Sequence, residues 1–467
     1  MPEFASVDPA TDVAIIGAGP AGMAAAIEAR RHGLAVTVLD DQPTIGGQIL
    51  RGITGARRVH YEIWGAPLAS AFQQSGARHV RGASVWARDG ETLVYGVEGQ
   101  TCRLQAKAVI LATGSMERPV VLPGHTLPGV VTVGALQSLL KGSAAVPSGR
   151  YVLAGSGPLL VLTALQLTKA GAPPLAIIDT TPRGRWRASL TKAPGLIGEP
   201  ALAISGMKLL ARIRMAKIPI FRHATDLRVL GTDRAEGLAF RAEGREHRLE
   251  AGMVALHDGV VPNDQLAVSF GCASRWNADA QAYAMVTTAE VRASVGGIWI
   301  AGDAAAISGG YLATLTGRLA ALDVARELAM LTAEAHAEAA APVLAERSRR
   351  LAARRFVDAL YAPTLSAAKA DGSALLCRCE EVPVSRVRAA IAQGATGTRQ
   401  VKAATRCGMG PCQGRQCTLS LVSVLAEELG AAVTDFSRPS LRTPGRPITV
   451  AELAASHSGQ GHTGSDA

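Results

Sequence analysis

The sequence predicts an α/β protein with two βαβ units in series and a small cysteine-rich module at its C-terminal end. Three observations predict it. Of 467 residues 48% are hydrophobic and 50 are glycine, which suits short buried strands alternating with helices through glycine turns. A segment near the N-terminus recurs near residue 151. Five of the seven cysteines fall between positions 377 and 417.

The first unit is "VAIIGAGPAGMAAAIEARRHGLAVTVLDD" from Val13. It reads as an apolar strand, a glycine turn, an apolar-faced helix and a second strand ending in an acid. Gly17 permits the tight turn and Gly19 lets backbone approach a pyrophosphate. Gly22 allows close helix–strand packing, and Asp40 is placed for a ribose hydroxyl. The helix N-terminus, carrying Pro20 and Ala21, favours the phosphates. The second unit, "YVLAGSGPLLVLTALQLTKAGAPPLAIIDT" from Tyr151, keeps Gly155, Gly157 and Asp179. Its third glycine position is Leu160, whose branched side chain is expected to push helix from strand and narrow the groove. The second unit therefore reads either as a weak site for NAD(P) or another adenine nucleotide, with Asp179 still placed for the ribose, or as a scaffold kept for packing.

Two further strands end in "ATG" (Ala112, Thr113, Gly114) and "GD" (Gly302, Asp303), and "GVVPN" spans Gly259 to Asn263. With these pieces the chain resembles the two-dinucleotide flavoproteins of the glutathione-reductase-like class. The resemblance implies FAD on the first unit, with Gly17, Gly19, Pro20, Ala21, Gly22, Asp40, Gly47, Gln48, Ala112, Thr113, Gly114, Gly302 and Asp303 as its binding set. Asp303 taken alone reads as a helix cap, but the accompanying motifs favour the flavin role. Gly155, Gly157 and Asp179 form the corresponding set of the second unit. Cys102 and Cys272 stand far apart in sequence, so each reads as a buried small hydrophobe and dithiol chemistry is not expected.

The net charge of +10 is spread along the chain and reads as a solvated basic surface. With aromatics at 4% and no basic stretch interleaved with them, nucleic acid is not an expected partner. "MPEFASVDPATD" lacks a basic n-region, and the apolar run behind it is too short to span a bilayer. Clustered cysteines then suit metal in a reducing cytoplasm better than disulfides.

The C-terminal cysteines lie in "CRCEEV" and "TRCGMGPCQGRQC". C-x-C is tighter than the C-x₂₋₄-C spacing usual for zinc. Two irons need four thiolates kept deprotonated, and Arg378, Arg406 and Arg415 with the amides of Gly408, Gly410 and Gly414 supply charge and donors for that. The pattern resembles the bacterioferritin-associated-ferredoxin type of [2Fe–2S] module. That resemblance implies Cys377, Cys379, Cys412 and Cys417 as ligands. The last spacing is x₄ where the parent module has x₂, so Cys407 stays in reserve as the fourth ligand. "VSRVRAAIAQG" reads as a helix opened by Ser385, and "SAAKADGSA" as a linker.

Taken together, the G-P-A-G turn, "AGSGPLL", "CRCE" and "TRCGMGPCQGRQC" resemble the flavoprotein (α or A) subunits of bacterial amino- and imino-acid dehydrogenases. These include opine oxidases, proline and D-hydroxyproline dehydrogenases, and the B subunit of hydrogen cyanide synthase. The resemblance runs from about residue 11 to 440. The chain then divides into an FAD-binding domain (11–125 and 285–330), a degenerate NAD(P)-like domain (126–284), a helical connector (331–372), a [2Fe–2S] domain (373–440) and, from its small polar residues, a largely disordered tail (441–467). The resemblance also implies a respiratory electron acceptor, FMN at a subunit interface, a separate D-amino-acid-oxidase-like catalytic subunit and a small third one. Contact with the inner face of the cytoplasmic membrane is expected through such partners. No acid–base pair is assigned here; His125 and His257 read as loop residues without a role. A stand-alone NAD(P)H-dependent reductase and a redox-sensing interaction module stay open as alternatives.

Overall fold

The computed structural model describes residues 9–54 and 64–457, with the backbone of residues 6–7. Its first lobe is built on one sheet. Thr11–Ile16 runs parallel between Val36–Asp40 and the long strand Gln100–Leu111, with Arg78–Arg81 beyond and Ile298–Ile300 on the far side. The early half of Gln100–Leu111 turns away and pairs antiparallel with Thr92–Val97, which pairs with Ser84–Asp89. The strand Val36–Asp40 is buried at every position, as expected for a parallel strand covered on both faces. The helix Pro20–Arg31 covers one face and packs in turn on Gly310–Glu327. Gly317 makes that packing close, since any side chain there would run into the Ala21 carbonyl.

The second lobe carries a five-stranded parallel sheet in the order Ile220–Arg222, Ala176–Asp179, Tyr151–Ser156, Met253–Asp258, Val130–Thr132. An antiparallel meander, Thr225–Leu230, Gly237–Ala242 and Arg245–Glu250, packs its buried faces on it. The order reverses between Tyr151–Ser156 and Met253–Asp258, so the crevice outside their carboxyl ends is where this topology binds a dinucleotide. Leu160 sits in the helix Pro158–Lys169 and is 2% exposed, buried with Val133, Leu136 and Leu153.

A long helix, Ala333–Leu360, capped by Thr332, leads to the C-terminal module. The module has its own core, in which Val384, Val387, Val401, Leu421 and Leu425 are buried. Its first helix is Val384–Ala392, with Pro383 at the N-cap. Ser385 therefore lies inside that helix and does not open it. The "SAAKADGSA" stretch is no free linker either. Ala367, Ala370 and Ala374 are buried in the module core.

The tail is the clearest correction. Val450–His457 is helical and lies on Gln100–Leu111, where Glu452 accepts at its carbonyl from Thr101 Oγ1 at 2.7 Å. Thr449 and Glu452 form a reciprocal capping pair: Glu452 Oε2 accepts from Thr449 N at 2.7 Å, and Glu452 N donates to Thr449 Oγ1 at 3.1 Å. Ile448 packs on Trp86, Ala87 and Val94. Residues 458–467, the polar end of the tail, lie outside the described residues.

Candidate functional site

Glycines shape the first unit's crevice. A Cβ at Gly17 (φ +107°) would stand 2.5 Å from the Ala112 carbonyl oxygen, and one at Gly22 would collide with the Gly17 carbonyl. One at Gly47 would come within 3.1 Å of the Gly19 Cα. Glycine alone fits this close approach of three backbones. The backbone of Gly19, Pro20 and Ala21 opens the helix; Pro20 at its first position removes a donor that would have no helical partner. The buried Asp40 accepts from Ala18 N at 2.8 Å and Gln42 N at 2.9 Å. Burial pushes its carboxyl above the usual range, against the pull of those two amides. Gln48 is turned elsewhere, accepting at Oε1 from Ser138 Oγ at 3.1 Å.

The other side of the crevice is stitched across the two lobes. Asn263 N donates to Gly114 O at 3.0 Å, and Thr113 Oγ1 donates to Asn263 O at 2.7 Å. Gly302 (φ +69°) donates its N–H to Thr316 Oγ1 at 2.8 Å. Asp303 Oδ1 accepts from Ser308 N at 2.7 Å and Gly309 N at 2.9 Å, tying down the loop before Gly310–Glu327. Asp303 Oδ1 thus anchors the loop, and the N-cap of the helix itself is Gly309, without a side-chain cap. This narrow channel of glycine backbone beside a helix N-terminus fits a dinucleotide.

The second crevice is different. Gly155 and Gly157 keep positive φ, and Asp179 Oδ1 accepts from Thr181 N at 2.9 Å. Across the carboxyl ends of its strands, however, lies the segment that leaves the long helix. Thr364 N and Leu365 N each donate to the buried Asp258 carboxylate at 2.9 Å, and Thr364 Oγ1 lies 2.7 Å from Thr180 Oγ1. Nothing in the sequence pattern pointed to this strap. His257, read as a loop residue, is on the strand Met253–Asp258 and buried. Its Nδ1 lies 2.6 Å from Glu117 Oε1, and Glu117 Oε2 accepts from Gly134 N at 3.0 Å. His125 Nδ1 is within 2.7 Å of Leu122 O, and burial lowers its pKa.

All five C-terminal cysteines converge. The sulfur atoms of Cys377, Cys407 and Cys417, all buried, lie within 4.8 Å of one another. Cys379, exposed, and Cys412, half-buried, hydrogen-bond to each other at the rim. The Cys407 and Cys417 thiols donate toward Cys377, which holds its thiol down at about 2, helped by the Gly408 amide at 3.5 Å. By the same contact Cys407 is pushed up to about 12. Gly410 is required because a side chain there would strike the Cys379 Cβ. Of the three arginines, Arg406 is held by Glu380 at 2.8 Å. Arg415 faces the cleft between the module and Asn263–Gln265. Gln265 Nε2 donates to the Cys412 carbonyl at 2.9 Å, and Arg438 pairs with Asp264 at 2.7 Å while lying over the Tyr283 ring. Soft thiolates so gathered suit an iron–sulfur cluster. Cys407, kept in reserve as the fourth ligand, stands in the buried trio with Cys377 and Cys417.

A dinucleotide crevice in a two-lobed α/β body and a thiolate cluster seat define a flavin-dependent iron–sulfur oxidoreductase. Residues 11–339 match the pyridine nucleotide-disulphide oxidoreductase family and residues 375–427 the BFD-like [2Fe-2S] binding domain. The chain is 40% identical to the A subunit of opine oxidase from Rhizobium meliloti, over 95% of this chain and 87% of that one. It is 31% identical to the HcnB subunit of hydrogen cyanide synthase from Pseudomonas aeruginosa, over 93% and 96%. The chain belongs to the family of the opine oxidase A subunits, within the pyridine nucleotide-disulphide oxidoreductases, and binds FAD and a [2Fe–2S] cluster. The crystal structure of L-proline dehydrogenase from P. horikoshii shares the fold, with a TM-score of 0.69 at 19% identity over 97% of this chain and 80% of that one. Among the described residues no helix is long and apolar enough to cross a membrane.

Proposed function

We propose that this chain is the electron-transfer subunit of a heteromeric amino- or imino-acid dehydrogenase, receiving electrons from a separate catalytic flavoprotein of the D-amino-acid-oxidase type. The observation that carries the reading is the strap. Thr364 and Leu365 occupy the buried Asp258 carboxylate at the switch point where a nicotinamide dinucleotide would have to lie. Leu160 fills the neighbouring apolar layer. Electrons arriving from NAD(P)H are therefore not the input, and the relatives' names supply the alternative: opine oxidase and hydrogen cyanide synthase subunits.

The residues divide as follows. Gly17, Gly19, Pro20, Ala21 and Gly22 bring backbone to the FAD pyrophosphate, Asp40 meets its ribose, and Ala112–Gly114 with Gly302 and Asp303 line the remaining length. Gly47 closes over Gly19, and Gln48 takes no part while it is bonded to Ser138. For the cluster, Cys379 and Cys412 at the rim and two of the buried trio would be the four ligands. Cys377 and Cys417 are the pair proposed, with Cys407 as the thiol behind them. Bound FAD supplies a two-electron carrier and the cluster a one-electron carrier. Asn263, whose amide donates to the Gly114 carbonyl, and Gln265, whose side-chain amide donates to the Cys412 carbonyl, join the two seats, so this chain fixes their spacing. The proposal is completed by FMN at the interface with the catalytic partner, by a small third subunit, and by a respiratory acceptor in a cytoplasmic setting. The clustering of five cysteines within residues 377–417, with a spacing suited to metal, supports that setting.

An anaerobic titration of the purified chain tests it. NADH and NADPH should leave the flavin absorbance unbleached for minutes, while dithionite produces a rhombic [2Fe–2S]⁺ EPR signal. Rapid bleaching by either nicotinamide would make the chain a stand-alone reductase.

A further inference from the structure

Half of the exposed large apolar side chains among the described residues fall in one stretch, 186–215. It contains the short helix Arg185–Ser189, the 3₁₀ segment Leu190–Gly198 and the helix Pro200–Met215. Ile197 is 83% exposed, Met207 62% and Met215 80%. In the last helix Ile204, Met207, Ala211 and Met215 recur at i, i+3, i+7 and i+11, so they form one outward apolar stripe. The opposite side is anchored by the buried Ile213, which joins the core of the second lobe. An amphipathic helix normally turns its apolar stripe inward. This one also displays such a stripe to solvent.

The charge around the stripe has one sign. Arg183, Arg187 and Lys192 are exposed on the preceding segments, Lys208, Arg212 and Arg214 along the helix, and Lys217 just beyond it. None is paired with a carboxylate among the described residues. The lone acid between residues 183 and 217, Glu199, is buried and already bonded to Arg349 at 3.2 Å and Arg350 at 3.3 Å. Arg187 also lies over the exposed Trp186 ring, 5.6 Å from its centroid. Projecting Ile and Met side chains, a tryptophan and a surround of unpaired Lys and Arg match a helix lying in a lipid–water interface. Protein interfaces share the enrichment in Trp, Met and Arg, but they are depleted of lysine, which stands here at Lys192, Lys208 and Lys217.

We infer that this face seats directly on an anionic phospholipid surface, with Ile204, Met207 and Met215 entering the headgroup boundary and the basic residues meeting lipid phosphates. This is contact by the chain itself, and it does not depend on the electron-transfer reading.

Co-sedimentation of the full chain, loaded with flavin and cluster, tests it. The vesicles are phosphatidylcholine alone or an equal mixture with phosphatidylglycerol. Binding is expected only to the mixture, and to weaken about tenfold or more in half-molar salt as screening sets in. The double variants Met207→Asp/Met215→Asp and Lys208→Glu/Arg212→Glu should each lose it while keeping the visible spectrum of the parent. No binding to the mixture overturns the inference. So does undiminished binding by the methionine variant, which would mean diffuse positive charge acts alone. Failure to bind vesicles combined with burial of this face by another protein would transfer it to a subunit interface.

Discussion

Gly22→Ala tests the packing of the first unit most directly. The helix Pro20–Arg31 is pressed from both sides. A Cβ on Gly22 would strike the Gly17 carbonyl oxygen and stand 3.0 Å from its carbon, so the helix must retreat from the turn. Behind it Gly317 brings another helix onto the Ala21 backbone, leaving no room for retreat. Overpacking of this kind costs about 3 kcal/mol, the upper end of the usual range, because both neighbours are backbone. Alanine returns about 1 kcal/mol through its helix propensity. The net loss of about 2 kcal/mol should lower the Tm by roughly 4–8 °C for a unit of this size. Bound FAD should fall in parallel, read as absorbance per chain after desalting. Gly206→Ala is the matched control: it lies in an exposed helix with nothing near its Cβ, so the propensity gain should appear alone as a small rise in Tm. A Gly22→Ala protein with full FAD and a raised Tm would refute the reasoning, because it would show that the helix has space.

Three further outcomes are expected. Cys379→Ser and Cys412→Ser should each abolish the reduced-cluster EPR signal of the parent, while Cys407→Ser keeps its iron content; loss of iron in the last would move Cys407 into the ligand set. Asp258→Ala should free Thr364 and Leu365, at a cost of about 3 kcal/mol at the strap for the unpaired amides and lost charge-assisted bonds. It should open a protease site near residues 361–366 with FAD retained, and unchanged protection would mean the strap is held elsewhere. Asp323 is buried, which raises its pKa, but Arg326, Trp299 and Arg292 outweigh that and hold it below its ordinary 3.8. Its contribution is complete above 3.8 and lost as the pH falls through the lower folded value. Asp323→Asn should therefore flatten the acid limb of a Tm–pH profile, and an unaltered limb would show that the ion cluster adds nothing.

The glycine turns were legible in the sequence because their requirement is local: two backbones must meet, and only one residue type allows it. Leu160 was legible as a departure for the same reason, although its effect was not. The side chain turned into the core with Val133 and Leu136 and left the turn itself in place. The helix Val450–His457 could have been found, since Thr449 and Glu452 spell a capping box; the polar residues after it concealed the signal. The strap and the His257–Glu117 contact could not. Thr364 and Asp258 are 106 residues apart, as ordinary in pattern as any threonine and aspartate, and only the packed fold brings them together. Cys407 falls between. Spacing kept it in reserve among five thiols, but spacing along a glycine-rich loop says little about depth, and the loop folds it in with the buried Cys377 and Cys417.

The seat of the C-terminal module also sets an order of assembly. Asp258, Asp264, Gln265 and Tyr283, which receive Thr364, Arg438, Cys412 and the Arg438 guanidinium, all precede the module in the chain and lie within or beside the second lobe. During synthesis that lobe emerges and folds while the cysteines are still to be made. The nascent module then meets a finished surface. Iron–sulfur loading thereby follows the folding of that lobe, and a chain stalled before residue 377 would present Asp264, Gln265 and Tyr283 without the partners that the module supplies.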